Sequence, residues 1–333
     1  MNKKISGLML AAVFAAAVIQ AQQPATPPAA STAGQPAQAP AAQPADQPAD
    51  TGGFTLKLPV NEVNLIFTVT DKHGHYIPNL KQSDFTLLDD QKAPTRVTSF
   101  RQQINLPLRV GLVIDSSTSI RSRFQFEQQS ANEFLLQILK AKSDRAFVMD
   151  FAQTTTIDQD WTNNKDALEA GVNRLRPGGG TALYDAVFTA CRDKLMDVSR
   201  GQEPVRKAMV LISDGNDDQS RVYLEEAVKE CQRAETIIYT VSTNWSPSRD
   251  KGDDALIQMA AETGGQAFFP PSVEEMSTSF SSIEEELRSQ YALTYTPADF
   301  KEDGAFRPIY LFCYDRRYQV RTRKGYFAPL PQR

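Results

Sequence analysis

Hydrophobic and polar positions alternate with a period of two from Phe54 to about Asn105. The clearest run covers residues 63–70, where apolar side chains occupy every second position, as in a strand with one buried face. Residues 85–87 and the neighbourhood of Val97 repeat this alternation over shorter lengths. This part of the chain therefore predicts a small β module.

The pattern changes between residues 106 and 289. Residues 109–114 are almost continuously apolar, which is typical of a strand buried on both faces of a parallel sheet. The apolar residues after this strand are spaced as on one face of a helix. We predict further strands at 146–151, 155–159, 207–213 and 236–242, and helices at 166–174, 182–197, 221–234, 253–263 and 273–289. Repeated β–α units predict an α/β domain with a doubly wound, mostly parallel, Rossmann-like sheet and helices on both faces.

Period-two alternation returns at the end of the chain, in residues 291–296 and 309–314, and residues 318–322 offer a return strand. An isolated hairpin is barely stable in water, so these strands need a packing partner. The β module at 54–105 has the same need. We therefore expect residues 290–328 to complete that module, with the α/β domain of residues 106–289 inserted between its two parts.

The first residues predict export. Lys3 and Lys4 precede a short apolar run, which ends at Ala21 in a sequence that a signal peptidase can cleave. The run is short for a membrane span, which needs about 20 apolar residues. We expect a signal peptide at 1–21, no stable membrane span after its removal, and a periplasmic or extracellular protein; a retained anchor is the alternative. Residues 22–53, rich in Pro, Ala and Gln, predict a disordered linker.

The amino-acid composition argues against several classes of function. The formal net charge of −4 implies no basic surface for nucleic acid, and two histidines leave little room for histidine-based catalysis. Three cysteines are too few for a disulfide scaffold. Cys191 and Cys231 fall on helices expected to be neighbours, so a disulfide between them stays an open alternative. Cys313 has the spacing of a core position on a strand.

Three polar loops follow predicted strands or begin a helix: Asp115-Ser116-Ser117-Thr118-Ser119, Gly178-Gly179-Gly180-Thr181 and Ser213-Asp214-Gly215. Ligands of open α/β sheets bind at the carboxyl ends of the strands, where the strand order reverses. With the common order 3-2-1-4-5-6, Asp115 and Asp214 end the two strands that flank this point and face each other.

The side chains of these loops specify a ligand. Two carboxylates and the hydroxyls of Ser117, Ser119 and Thr181 are hard oxygen donors, and no histidine or cysteine lies among them. Such a set suits Mg²⁺, Mn²⁺ or Ca²⁺ and argues against Zn²⁺. The glycines before Thr181 allow its loop a close approach, since glycine has no Cβ.

The motif DSSTS resembles the D-x-S-x-S signature of the metal ion-dependent adhesion site (MIDAS) of von Willebrand factor A (VWA) domains. Thr181 and Asp214 stand where that family has its threonine and second aspartate, and the resemblance covers residues 107–288. It implies that Ser117, Ser119 and Thr181 contact the metal, while Asp115 and Asp214 act directly or through water. The flanking sequences resemble secreted bacterial VWA-related proteins.

These observations favour an exported, non-enzymatic adhesion module whose cation binds an acidic group on a protein partner. The alternatives are a cell-envelope assembly factor with a structural metal site and, less favoured, a metal-assisted hydrolase, for which no nucleophile is paired with a base.

Other residues with possible chemistry have simpler interpretations. The glycine run lacks the lysine of a phosphate-binding P-loop. Asp217 and Asp218 suit a solvated loop better than a second cation site, and Asp185 suits a helix N-terminus. His73 and His75 flank a turn glycine and lack the further ligands of a zinc site.

Overall fold

The computed structural model describes residues 61–102, 106–196, 205–244 and 248–331. The predicted signal peptide, the predicted linker and residues 54–60 of the predicted β module lie outside the described residues. All described residues fall within one unit, Lys57–Arg333. None of the helices formed by them has both the length and the apolar character needed to cross a lipid bilayer.

The secondary structure forms three blocks along the chain: strands, alternating strands and helices, and strands again. In chain order the strands are β1 (Val63–Thr70), β2 (Phe85–Asp89), β3 (Arg96–Gln102), β4 (Leu108–Asp115), β5 (Arg145–Phe151), β6 (Thr155–Thr162), β7 (Arg206–Ser213), β8 (Ile237–Ser242), β9 (Ala267–Phe268), β10 (Tyr291–Thr296), β11 (Phe306–Cys313), β12 (Gln319–Thr322) and β13 (Gly325–Phe327). The helices are α1 (Phe124–Ile138), α2 (Lys165–Arg174), α3 (Leu183–Thr189), α4 (Leu224–Arg233), α5 (Lys251–Thr263) and α6 (Val273–Ser289).

The middle block forms a six-stranded sheet with the order β6-β5-β4-β7-β8-β9. If the strands β4 to β9 are numbered 1 to 6 along the chain, this is the order 3-2-1-4-5-6 that the sequence analysis used. All neighbouring strands run parallel except β6, which is antiparallel to β5 at one edge. The predicted α/β class and mostly parallel sheet are therefore confirmed, and the order reverses between β4 and β7.

Both faces of this sheet are covered by helices, because β4, β7 and β8 are apolar on both sides. Side chains of α1, α2 and α6 form one core with the sheet, and side chains of α3, α4 and α5 form a second core on the opposite face. β7 and β8 are buried along their whole length. The sheet is thus a rigid support for the loops at the ends of its strands.

Two local features differ from the sequence expectation. The predicted helix 182–197 is α-helical only over α3, and residues Ala190–Leu195 continue it as a π-helix. The two-residue strand β9 is too short to leave a periodic pattern, and it pairs with β8 because the chain returns along the sheet edge after α5.

Cys191 and Cys231 form a disulfide bond between the π-helical segment and α4. Both residues are fully buried. The bond joins positions 40 residues apart and encloses β7 and the loop of Asp214. Closing a loop of this length stabilises a fold by about 4 kcal/mol in chain-entropy terms. Cys313 on β11 is a half-buried free thiol.

The flanking strands form two small sheets, with the orders β12-β1-β10-β3 and β13-β11-β2. Strand β1, from before the α/β domain, pairs antiparallel with β10 and β12, which come after it. The two sheets share one apolar core, in which Phe67, Phe85 and Tyr291 pack their rings together. We call this pair of sheets the β sandwich.

The pairing of the last strands differs from the hairpin that the sequence predicts. The alternation predicts that residues 318–322 return beside 309–314, but β12 pairs with β1. Strand β11 instead lies between β2 and β13. Alternation shows which face of a strand is buried and says nothing about its partner, so this choice depends on tertiary packing.

Asp144 joins the start and the end of the α/β domain. Its Oδ1 accepts a hydrogen bond of 2.9 Å from the backbone N–H of Leu108, the first residue of β4. Its Oδ2 accepts hydrogen bonds of 3.0 Å from the guanidinium of Arg288, near the end of α6, and from the backbone N–H of Ala141. The carboxylate is fully buried. Burial opposes its ionisation, but these hydrogen bonds and the charge of Arg288 outweigh burial and lower the pKa of Asp144.

Asp144→Asn should therefore reduce the free energy of unfolding at neutral pH by about 3 kcal/mol, because charged hydrogen bonds and a buried ion pair are lost. A carboxyl whose pKa is lowered by folding stabilises the protein above its unfolded pKa. That contribution disappears as the pH falls through the folded pKa, so the difference between wild type and variant should shrink in acid. Urea unfolding from neutral pH downwards measures this, with the exposed Glu169→Gln as the control. A difference that stays constant down to acid pH would contradict the assignment.

Candidate metal centre

The three polar loops meet at one edge of the central sheet. Strand β4 ends at Asp115 and its parallel neighbour β7 ends at Ser213, so the residues that follow both strands emerge side by side. Thr181 lies just before α3. The predicted meeting of these loops where the strand order reverses is what the structure shows.

The first loop folds back on the end of its strand. The backbone N–H of Ser117 donates a hydrogen bond of 2.8 Å to Oδ1 of Asp115. The Oγ atoms of Ser117 and Ser119 lie 3.0 Å apart. Ser117 is buried, whereas Ser119 is exposed. The loop thus presents two hydroxyl oxygens beside a buried carboxylate.

The distance between these hydroxyls tests the fit of a cation. In an octahedron with metal–oxygen distances of about 2.1 Å, as Mg²⁺ requires, neighbouring ligand oxygens lie about 3.0 Å apart. Ca²⁺ has longer bonds, about 2.4 Å, but it takes about six to eight ligands, and the larger ligand number brings neighbouring oxygens to a similar separation. The observed 3.0 Å between Ser117 Oγ and Ser119 Oγ is also an ordinary hydroxyl hydrogen-bond distance, so it is compatible with two neighbouring ligands of a divalent cation and does not select one ion.

Asp115 is held by the protein at both of its oxygens. In addition to the bond from Ser117, Oδ2 accepts a hydrogen bond of 2.6 Å from Ser213 Oγ. Burial, the largest influence, raises the pKa of Asp115 to about 6. Hydrogen bonds from Ser117 and Ser213 lower the pKa and offset part of this rise, while the charge of Asp214 adds to it. A cation beside Asp115 would stabilise its charged form.

Backbone hydrogen bonds tie the glycine loop to the first loop. The backbone N–H and the hydroxyl of Thr118 both donate to the carbonyl of Gly179, at 3.1 and 2.9 Å. Gly178 N–H donates to the carbonyl of Ser116 at 2.7 Å. Gly179 has a φ of +88°, a conformation that other residues adopt with strain. The position of the glycine loop is therefore fixed relative to Ser117 and Ser119.

Asp218 connects the glycine loop to the third loop. Its Oδ1 accepts a hydrogen bond of 2.7 Å from the backbone N–H of Thr181. The carbonyl of Thr181 in turn accepts hydrogen bonds of 3.0 Å from the N–H groups of Asp218 and Gln219. These three bonds fix the backbone of Thr181 relative to the loop that follows Asp214.

The third loop is pressed against the start of α5. Gly215 has a φ of +83°, and a Cβ at this position would lie 2.1 Å from the carbonyl oxygen of Gly252. Only glycine fits there. Oδ1 of Asp214 accepts a hydrogen bond of 3.1 Å from Asn216 N–H, which orients the carboxylate at the end of β7.

The other acidic residues near these loops bind protein groups. Asp217 accepts hydrogen bonds from the hydroxyl of Ser220 and the backbone of Tyr184. Asp185, in the first turn of α3, accepts bonds from the N–H groups of residues 221 and 222. Together with Asp218 they organise the loops.

The two histidines lie elsewhere. His73 and His75 belong to the turn after β1, where their backbone N–H groups donate to Oδ1 of Asp71. Gly74 between them has a φ of +86°. These residues form the expected turn in the β sandwich.

Sequence reasoning missed the roles that three residues have at the site. Ser213 orients Asp115, Asp218 positions Thr181, and Glu127 of α1 lies buried in the electrostatic field of Asp115 and Asp214. Glu127 did leave a signal, since it lies three residues after Phe124 and four before Ala131 on the buried stripe of α1. Within the described residues, no three His, Cys, Asp or Glu side chains are grouped so that they could hold a metal ion. A cation here therefore needs the hydroxyls.

The chain is similar to several known proteins. A UPF0353 protein of Mycolicibacterium vanbaalenii is 25% identical over 202 residues, in an alignment that covers 54% of this chain and 60% of the relative. The von Willebrand factor A domain-containing protein 3B of Homo sapiens is 29% identical over 162 residues, which cover 47% of this chain and 11% of that protein. The chain spans about 60% of the length of the bacterial curated relatives it matches.

Among solved structures, proximal thread matrix protein 1 from the mussel byssus, with a zinc-occupied MIDAS motif, gives a TM-score of 0.47. Its sequence identity is 15%, over 60% of this chain and 50% of that chain. A family model of the von Willebrand factor type A domain matches residues 110–282, about half of the chain. This match contains all five candidate ligands and most of the central sheet. The chain belongs to the family of von Willebrand factor type A domain proteins.

Proposed function

We propose that this protein is an exported adhesion module that binds a divalent cation and uses it to recruit a carboxylate on a protein partner. The observation that carries the proposal is the pair of hydroxyls of Ser117 and Ser119, 3.0 Å apart, beside the buried carboxylate of Asp115. The all-oxygen donor set suits Mg²⁺, with Mn²⁺ or Ca²⁺ as the alternatives.

The proposed ligands leave the cation able to bind one more anion. Ser117, Ser119 and Thr181 carry no charge, so only Asp115 and Asp214 compensate the charge of the ion. A bound cation supplies a coordination position at which a carboxylate can replace water. The exposed Ser119 marks the side from which a partner would approach.

Two features support export and binding without catalysis. A buried disulfide between Cys191 and Cys231 is typical of proteins that fold in an oxidising compartment, in agreement with the apolar N-terminal run. Both histidines belong to a turn of the β sandwich, and the serine hydroxyls of the site contact a carboxylate or each other. This arrangement supports a binding site more than a hydrolytic one.

A second candidate function is cell-envelope assembly through the β sandwich, with a structural metal site. The observation that favours it is a row of exposed aromatic side chains on the outer face of β11 and just beyond it. They are Phe306, Tyr310, Phe312 and Tyr314. Aromatic residues are enriched in protein interfaces, so this row is a candidate contact surface.

A pull-down from envelope extract in Mg²⁺ should separate the two candidates. If the cation recruits the partner, a chelator wash should release it, and immobilised Asp214→Ala should capture none. The exposed Asp166→Ala on α2 is the control and should capture as much as the wild type. A partner that stays bound in chelator and also binds Asp214→Ala would contradict adhesion through the cation and favour assembly through the β sandwich.

A further inference from the structure

Glu127 is an acidic residue in an apolar position. It belongs to the first turn of α1, which comes after the loop of Ser117 and Ser119. Its side chain is 1% exposed, and it shares the buried face of α1 with Phe124 and Ala131. Glutamate is almost never fully buried unless its charge has a partner.

Neither carboxylate oxygen of Glu127 has a hydrogen-bond donor among the described residues, although both are shielded from solvent. A buried carboxyl group without a donor is strongly unfavourable. A glutamate in the first turn of an exposed helix is explained by the helix dipole. The helix dipole does not explain why the side chain of Glu127 points inward. A glutamine or leucine side chain could be buried at this position at a lower cost in free energy.

The charges that Glu127 faces are those of the proposed cation site. Burial is the largest influence and raises the pKa of Glu127 well above its usual range, and the charges of Asp115 and Asp214 raise it further. Arg123, one turn earlier on the chain, acts in the opposite direction. The carboxylates of Asp115 and Asp214 are therefore close enough to Glu127 to repel its charge.

Glu127 is not a direct ligand in this arrangement. Within the described part of the chain, the carboxylates do not form a group of three that could hold one ion. Its contribution has to come from beyond the direct ligands, through its charge or through a water molecule.

We propose that Glu127 is a third acidic residue of the cation site, a positioning charge whose burial is compensated when a multivalent cation binds beside Asp115 and Asp214. This inference rests on the proposed function. It assigns to α1 a part in cation affinity that the five motif residues do not include. Because Coulomb energy scales with the product of the charges, the contribution should grow with the charge of the cation.

Calorimetry of the purified full chain with Mn²⁺ and with Tb³⁺ tests this. Glu127→Gln keeps the shape of the side chain and removes its charge. It should weaken Mn²⁺ binding about ten-fold and Tb³⁺ binding about thirty-fold, since the second ion carries one more charge. Thermal melts in chelator should show the variant at least as stable as the wild type, because an unpaired acidic group has been removed from the interior.

Two further variants exclude a packing effect. Glu133→Gln, at the other acidic residue of α1, should leave both affinities unchanged, because Glu133 binds Ser277 of α6. Glu127→Asp keeps the charge and should bind Mn²⁺ more tightly than Glu127→Gln does. Equal losses in Glu127→Asp and Glu127→Gln, or Mn²⁺ binding by Glu127→Gln within two-fold of the wild type, would overturn the inference alone. A wild type without saturable cation binding would overturn the proposed function as well.

Discussion

Asp115→Ala should abolish saturable Mg²⁺ and Mn²⁺ binding, with a loss of affinity of at least about 100-fold. Altering groups that merely support a metal ligand already costs about 10–100-fold, and Asp115 is one of only two carboxylates among the five proposed ligands. Asp214→Ala removes the other one and should have a comparable effect. Calorimetry with each cation, followed by thermal melts with and without chelator, measures both losses.

The fold should survive these substitutions. Asp115→Ala leaves Ser213 Oγ and Ser117 N–H without their acceptor, but it also removes a buried carboxylate that is repelled by Asp214. The two effects oppose each other, so the melting temperature in chelator should change little. Thr181→Ala should be milder, because water can take the place of one hydroxyl around such a cation. Alanine variants of both aspartates that bind Mg²⁺ like the exposed control Asp166→Ala would contradict the assigned site.

Truncation after Gln290 should unfold the β sandwich and make the product aggregate. The cut removes β10 to β13, and with them every strand that pairs with β1, β2 or β3. Six side chains of β1 and β2 would lose their core: Val63, Leu65, Phe67, Val69, Phe85 and Leu87. Burial of each contributes about 1.5–3 kcal/mol, so the loss is comparable to the whole stability of a domain, about 5–15 kcal/mol.

Light scattering and circular dichroism of residues 54–290 measure this effect. A chain that ends at Pro329 keeps β13 and loses only residues 330–333, of which Leu330 is exposed, so it should behave like the full-length protein. A soluble 54–290 fragment that unfolds cooperatively, with its β signal retained, would show that the N-terminal strands do not need the C-terminal ones.

The central sheet could be predicted from the sequence because its strands are buried on both faces. Continuous apolar runs such as β4 and β7, each followed by a helix, predict strands that are buried in a parallel sheet. The strand partners in the β sandwich could not be predicted, since β1 alternates in the same way whether β10, β11 or β12 lies beside it. The π-helical turn after α3 could not be predicted either, because an apolar stripe fits both kinds of helix.

The candidate site also has one part that the sequence predicts and another part that only the structure shows. Its five oxygen donors lie in short motifs whose spacing can be seen in the sequence. Ser213, Asp218 and Glu127 act on these donors across distances that only the folded chain brings together, 98 residues in the case of Ser213 and Asp115. Of the three, Glu127 alone could have been identified earlier, as a charged residue on an otherwise apolar helix face.

Paired strands of the β sandwich are far apart in the sequence, so they are synthesised at different times. Val63 is synthesised about 230 residues before its partner Tyr295, which takes about 10–50 s at usual rates of translation. Until the last strands are available, only the α/β domain that lies between them has all of its strands, and Asp144 joins its first strand and last helix. Strands β1 to β3 have no partner until then, and their apolar faces are a template for aggregation. Residues 63–102 are therefore the segment most exposed to aggregation before the last strands are available.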